Sequence, residues 1–325
     1  MRVFGCRIDK MGMRVGIIGP RRSRTGTGPY VAHFLKECGC EVFEWTRAEA
    51  SSLLACPASL PVVDAVAICS PPETHFDYIS AALERGLHVF CEKPMVWPRD
   101  NSSVALRKLI ADLMLVVATA RSRVVIHENT QWPYTLGEYR RMVGELDPSD
   151  IREFSCELAP SSGAPAEMIM ECAPHANSLL LALGCSGIEN LSVAFRGPAD
   201  NRPASIDIRF ECRSPRNGKV DVHYHFDQCA DQPRAAAYAV NNRWVRRRVA
   251  SPDYQIFFCH EGREMRVVDP LERSVRDFVR KVLAWAKLLR KENLSMAIRA
   301  NLEMSAAILE RTARLQLEGL EDARF

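Results

Sequence analysis

Hydrophobic positions along this chain change their period several times, and each change marks an element. Residues 15–19, VGIIG, are continuously apolar and end in glycine, the pattern of a strand buried on both faces. Val31, Phe34, Leu35 and Cys38 then recur at i, i+3, i+4, i+7. They predict a helix that begins near Gly28, carries Pro29 in its first turn and is closed by Gly39. A second strand is expected at 41–45. From Val63 to Met95 the chain reads VDAVAICSPPETHFDYISAALERGLHVFCEKPM: a buried strand, a Pro-Pro turn, an amphipathic helix, a second strand, then Glu92-Lys93-Pro94. That order is one βαβ unit of a parallel sheet, with a lysine just past the carboxyl end of a strand. Open α/β sheets bind ligands at that edge.

Further along, the period becomes two. In 204–212, Ile206, Ile208, Phe210 and Cys212 share one face and Ser205, Asp207, Arg209 and Glu211 the other; 219–227 alternates in the same way, with Val220, Val222, Tyr224 and Phe226 inward. These are half-buried antiparallel strands. Between the two regions, Pro174 suits the first turn of a helix through NSLLLALG that stops at Gly184, which puts His175 in that turn and Glu171 just before it. Segments 271–289 and 295–316 have apolar residues at helical spacing, which core packing explains.

The first strand and helix are joined by PRRSRTGTG. Gly19, Gly26 and Gly28, with Thr27 between them, would let the backbone approach a pyrophosphate at the helix N-terminus, although the spacing is wider than G-x-G-x-x-G. Arg21, Arg22 and Arg24 add positive charge there, or are simply solvated. Thr46-Arg47, after the second strand, suits the 2′-phosphate of NADP; Glu44, if the strand ends earlier, suits the ribose of NAD. Ser70, Pro71 and His75 lie in the turn after the AICS strand, on the cofactor side. His127, Gln131 and Trp132 follow the last strand of the parallel sheet toward the substrate, with interdomain core as the alternative for Trp132. The run Arg243-Trp244-Val245-Arg246-Arg247-Arg248 reads as a solvated, exposed strand edge, with contact to an anionic substrate or a neighbouring chain as the alternatives.

Composition narrows the class. The chain has 325 residues, enough for two domains, and is 47% hydrophobic and 26% charged. A net charge of +3, spread along the chain, gives nucleic-acid binding no electrostatic support. No apolar run approaches the roughly 20 residues that span a bilayer. Residues 1–12 look like an extension without the features of a signal peptide. Twelve scattered cysteines with no C-x-x-C suggest reduced thiols in a cytoplasmic protein. His223 and His225, with Asp221 and Asp227, share an outward face that either holds a divalent ion or packs against another subunit; no metal is assigned.

In VGIIG (15–19), AICSPPETH (67–75), GLHVFCEKPM (86–95), ECAPH (171–175) and LEMSAAILERT (302–312), the chain resembles the Gfo/Idh/MocA family of NAD(P)-dependent oxidoreductases, which includes glucose–fructose oxidoreductase and inositol dehydrogenase. The resemblance implies an α/β fold with an N-terminal Rossmann domain (1–130). A C-terminal α+β domain with an open, mainly antiparallel sheet would follow (131–290), then a helical segment (291–325) packing back near the first domain. It also implies that Lys93 reaches the substrate beside the nicotinamide, with Glu92 on the cofactor side, and that His175 transfers the proton. Glu171 stands where the family's D-x-x-x-H motif has aspartate, and would tune His175. Ser178 stands where the family has a further acid. The expected activity is NADP-dependent hydride transfer, with NAD second, to or from a carbinol or ketone carbon of a small polar substrate, by a homodimer or homotetramer formed through the open sheet. An imine or tetrapyrrole-type reductase, a redox-cycling glycosidase and a non-enzymatic NADP-binding regulator are the alternatives.

Overall fold

The computed structural model describes residues 12–19, 26–55, 62–120, 124–197, 204–216, 218–250, 254–284 and 292–322, and the chain divides into two compact units. The first comprises Met1–Val96, Asp112–Asn129 and Leu271–Ser295. Its strands β1 (Arg14–Ile18), β2 (Glu41–Trp45), β3 (Ala65–Ile68), β4 (His88–Glu92) and β5 (Ile126–Asn129) form one parallel sheet in the order β2-β1-β3-β4-β5. The inner strands β1, β3 and β4 are short and largely buried because helices cover the sheet. Helices α1 (Gly28–Glu37), α2 (Arg47–Ala55), α3 (His75–Glu84) and α4 (Ser103–Thr119) supply the crossovers. The path leaves β1 toward β2 and returns on its other side as β3, so the topological switch point lies between β1 and β3.

One face of this sheet is closed from the far end of the sequence. Helix α7 (Pro270–Leu283) buries Val275, Phe278 and Val282 in the same cluster as Val31 and Leu35 of α1 and Phe90 of β4. The expected boundaries placed this helix in the second domain and the final helix near the first. The first compact unit contains α7, because its apolar stripe is buried in the core of the parallel sheet, and the residues of the last helix from Met296 on belong to the second unit.

The second unit comprises Trp97–Ala111, Thr130–Pro270 and Met296–Phe325. Its eight strands are β6 (Glu153–Leu158), β7 (Ser186–Arg196), β8 (Ser205–Arg213), β9 (Lys219–Asp227), β10 (Ala236–Val240), β11 (Arg243–Ala250), β12 (Gln255–His260) and β13 (Arg263–Val267). They run in the order β13-β12-β11-β10-β6-β9-β8-β7, antiparallel except for β6 beside β9. The predicted alternation holds: Ile206, Ile208, Val222, Tyr224 and Phe226 are buried on the covered face. Helix α6 (Pro165–Ala182) packs on β6, β7 and β9, and helix α8 (Glu292–Asp322) is tied to α6 by Asn301 Nδ2 donating to Pro174 O at 3.1 Å.

Strand β11 is not an edge: β10 and β12 flank it. Its alternation splits the arginine run. Arg246 and Arg248 lie outward and pair with Glu157 and Glu264, whereas Arg247 takes the parity of buried Val245. Among the described residues every cysteine is a free thiol, and no helix is long and apolar enough to cross a membrane.

Candidate functional site

The candidate residues fall into two groups, one in each unit. In the first, the strand ends at the β1/β3 switch point are pressed together. Gly19 has φ +83°, and a Cβ there would stand 2.8 Å from Cys69 and Ser70 backbone atoms, so only glycine fits. Gly26 and Thr27 are half-buried and Gly28 opens α1, whose first turn carries no acidic residue. Its N–H groups therefore suit an anion. Arg21, Arg22 and Arg24 lie outside the described residues.

The turn after β3 and the Glu-Lys-Pro turn after β4 are held by one histidine. His75 is fully buried, with Nδ1 2.9 Å from Pro94 O and Nε2 2.8 Å from Ser70 O. A neutral ring donates to only one of two carbonyls, and burial lowers the pKa of His75 while the carbonyls oppose that shift. Its part is to position both turns. Ser70 Oγ meets Thr74 Oγ1 at 2.7 Å, and Pro71 is exposed at the sheet edge.

Across the strand, Asn129 Nδ2 donates to Glu92 Oε1 at 2.6 Å and Met95 N donates to Glu128 Oε1 at 2.9 Å. Burial raises the Glu92 carboxyl, against hydrogen bonds from Asn129 and Thr27 that lower it. Lys93, half-buried, is thus carried on a turn fixed from three sides, and the peptide bond to Pro94 is cis.

At the end of β2, Thr46 is exposed and its backbone N–H donates to Glu49 Oε2 at 2.6 Å, while Glu49 N–H reaches Thr46 Oγ1 at 3.3 Å. This is a capping box at the start of α2, which Arg47 opens. Glu44 is engaged by Lys36 Nζ at 3.1 Å.

In the second unit, α6 starts at Pro165 and runs through Pro174 without ending. His175 is therefore in mid-helix, and Glu171 lies four residues earlier on the same face. His175 Nδ1 stands 2.7 Å from the carbonyl oxygen of Thr130. A carbonyl only accepts, so Nδ1 carries a proton, and in the neutral ring Nε2 is the nitrogen that gains or loses one. The carbonyl is aimed by an unusual turn: Gln131 has φ 53° and ψ −56°, and Trp132 N–H donates to the same Thr130 oxygen at 2.6 Å. This is a γ-turn of the rare, strained hand.

The ring of His175 is thus fixed on its Nδ1 side by backbone. Glu171 accepts from Ser161 N–H at 2.8 Å, from Ser161 Oγ, and from Arg234 Nη1 at 3.1 Å. Trp132 is buried edge-on against Tyr238, with the Arg247 guanidinium 5.8 Å from its ring centroid.

His127 is turned into the apolar core of the first unit. It is buried in β5, stacked on Phe90, with Nε2 3.0 Å from Ser274 Oγ, and burial lowers its pKa to about 3. On the sheet's outward face, His223 Nε2 and His225 Nδ1 approach Asp207 Oδ1 at 2.9 and 3.0 Å, and His225 Nε2 approaches Asp227 at 2.9 Å. Thr130, Ser161 and Arg234 were not singled out from the sequence, since they act through backbone or from loops. Arg247 was named only as one member of the arginine run, and strand parity is the signal that sets it apart.

A family model described as "Oxidoreductase family, NAD-binding Rossmann fold" (GFO_IDH_MocA) matches residues 28–112. The uncharacterized oxidoreductase YrbE of Bacillus subtilis (strain 168) is 46% identical over 46 residues, a stretch that spans 14% of this chain and only 14% of that protein. Among solved structures, UDP-N-acetylglucosamine 3-dehydrogenase GnnA from Acidithiobacillus ferrooxidans is similar over 92% of this chain and 97% of its own, at 19% identity and a TM-score of 0.61. Myo-inositol 2-dehydrogenase from Lactobacillus plantarum is similar over 92% and 97%, at 14% identity and a TM-score of 0.60. At these identities the likeness is one of fold.

Proposed function

We propose that this chain, a member of the Gfo/Idh/MocA oxidoreductase family through its Rossmann domain, is an NADP-dependent oxidoreductase acting on a carbinol or ketone carbon of a small sugar- or cyclitol-like substrate. The observation that carries the reading is Lys93, set on a braced turn at the carboxyl edge of a parallel sheet, where such sheets bind ligands. The side-chain-free backbone at Gly19 and the acid-free first turn of α1 fit a dinucleotide pyrophosphate. A bound nicotinamide would supply or accept the hydride. Lys93 donates a hydrogen bond to the reacting oxygen. His175 takes that oxygen's proton at Nε2 in oxidation and returns it in reduction, with its tautomer set by the Thr130 carbonyl.

NADP is preferred over NAD because Thr46 and Arg47 follow β2 directly, while Glu44 is drawn to Lys36. Dehydrogenases named for UDP-N-acetylglucosamine and myo-inositol on the same fold support the substrate class. The test is a panel of sugars, cyclitols and their ketones followed by nicotinamide absorbance, with the wild type and Lys93→Met. Turnover is expected to fall at least about 100-fold in the variant, the range of a positioned proton-handling group, while NADPH binding is kept. Wild-type turnover in Lys93→Met would sink the assignment.

A further inference from the structure

The second unit places two arginines beside the proposed acid–base residue in excess of what the protein asks of them. Arg234 reaches Glu171, one helical turn before His175, and Arg247 lies over Trp132, two residues past the carbonyl that holds His175. Arg247 Nη2 donates to Arg234 O at 2.5 Å, so the strand arginine fixes the loop that carries the other. Among the described residues, the Nε atoms of both Arg234 and Arg247 are buried with no hydrogen-bond partner. Burial lowers the pKa of Arg247, Asp269 and Tyr254 oppose that shift, and Arg234 adds like-charge repulsion. Buried donors without acceptors and neighbouring like charges both cost stability unless an anion arrives.

A guanidinium offers a planar fork of donors that matches an oxyanion through two parallel bonds. We infer that Arg234 and Arg247 form the recognition site for an oxyanion, carboxylate or phosphate, carried by the sugar- or cyclitol-like substrate. Trp132 supplies the apolar wall on which the substrate's carbon skeleton rests. The inference rests on the oxidoreductase reading for its substrate, but the site consists of second-unit residues and is testable apart from the cofactor.

The experiment is calorimetric titration of the full chain, with and without NADPH, using glucuronate, glucose 6-phosphate and glucose as probes. At least one anion is expected to bind about tenfold or more tighter than glucose, the gain of a single charge-assisted contact. The choice between glucuronate and glucose 6-phosphate tells carboxylate from phosphate. Arg247→Met is expected to abolish the difference and leave NADPH affinity unchanged. Should that variant not fold, Arg247→Lys, which keeps the charge but not the fork, is expected to lose about tenfold in affinity for the preferred anion. Glucose binding as tightly as both anions, no anion binding up to about 10 mM, or unchanged anion affinity in the Arg247 variant that folds would overturn the inference. Failure of NADPH to bind would remove the oxidoreductase reading; the anion titrations decide the arginine pair in either case.

Discussion

Gln131 holds a backbone conformation that a residue with a side chain adopts only under constraint. Its effect is to turn one carbonyl, that of Thr130, toward both Trp132 N–H and His175 Nδ1. Such strain costs about 1–3 kcal/mol and is kept where a geometry is over-determined. Replacing Gln131 with glycine is expected to raise the thermal midpoint by relieving part of that strain, less the roughly 0.5–1 kcal/mol of extra chain entropy glycine brings. A lower midpoint would mean that the side chain, not the backbone, sustains the turn. Lys93 and His175 were legible because they stand in ordered motifs. The role of position 131 was not, because a positive φ at glutamine leaves no mark in residue type. Arg247 was misplaced because its run was read as one surface, although alternation along a strand separates its members. Glu171 was assigned to tune His175 through the family motif; that its carboxylate also accepts from Ser161 and Arg234 could not be read from the motif.

Elements were more legible than their junctions. Strand β2 and helix α1 fall where the apolar pattern put them, since periodicity reports which face is buried. Helix α6 begins nine residues before Pro174, at Pro165, so the proline start signal was correct in kind and attached to the wrong proline. An interior proline removes one helix hydrogen bond, the one to the carbonyl of Met170 four residues earlier. The helix is tied on the other side of the proline by Asn301 Nδ2 donating to Pro174 O and Ser178 Oγ donating to His175 O at 2.7 Å. Thr46-Arg47 was read only as a 2′-phosphate site, yet Thr46 is also the first residue of a capping box that Glu49 completes at the start of α2. The proposed function gives Thr46 a second role, at the 2′-phosphate. Thr46→Ala is expected to cost about 0.5–2 kcal/mol in denaturant unfolding and to weaken NADPH more than NADH, whereas Thr46→Ser should preserve both. Loss of stability with unchanged NADPH affinity would confine Thr46 to the cap.

At the scale of the whole molecule, length and composition pointed to two domains, but not to how the chain is shared between them. An amphipathic stripe says that α7 is buried without saying against what, and only the long-range packing of Phe278 and Val282 beside α1 decides it. The first unit also buries histidines that must stay neutral. Burial lowers His88 to about 4 and His127 to about 3, and His88 Nδ1 accepts the Val125 N–H, which a protonated ring cannot do. Because these folded values lie below the unfolded value near 6.5, the unfolded chain binds more protons as pH falls. Stability is therefore full above about pH 6.5 and declines below it, by roughly 2 kcal/mol per histidine at pH 5 relative to pH 7. Urea midpoints at the two pH values test this, and His88→Gln should flatten the dependence; an unchanged midpoint at pH 5 would contradict it. The proposed activity stands on nicotinamide binding at the β1/β3 edge, so the most direct measurement is fluorescence titration of the full chain with NADPH and, separately, NADH. Saturable binding of both is expected, with NADPH tighter by about tenfold or more through a charged hydrogen bond to the 2′-phosphate. Tighter NADH would move the ribose contact to Glu44, and binding of neither would contradict the assignment of this chain as a dinucleotide-dependent oxidoreductase.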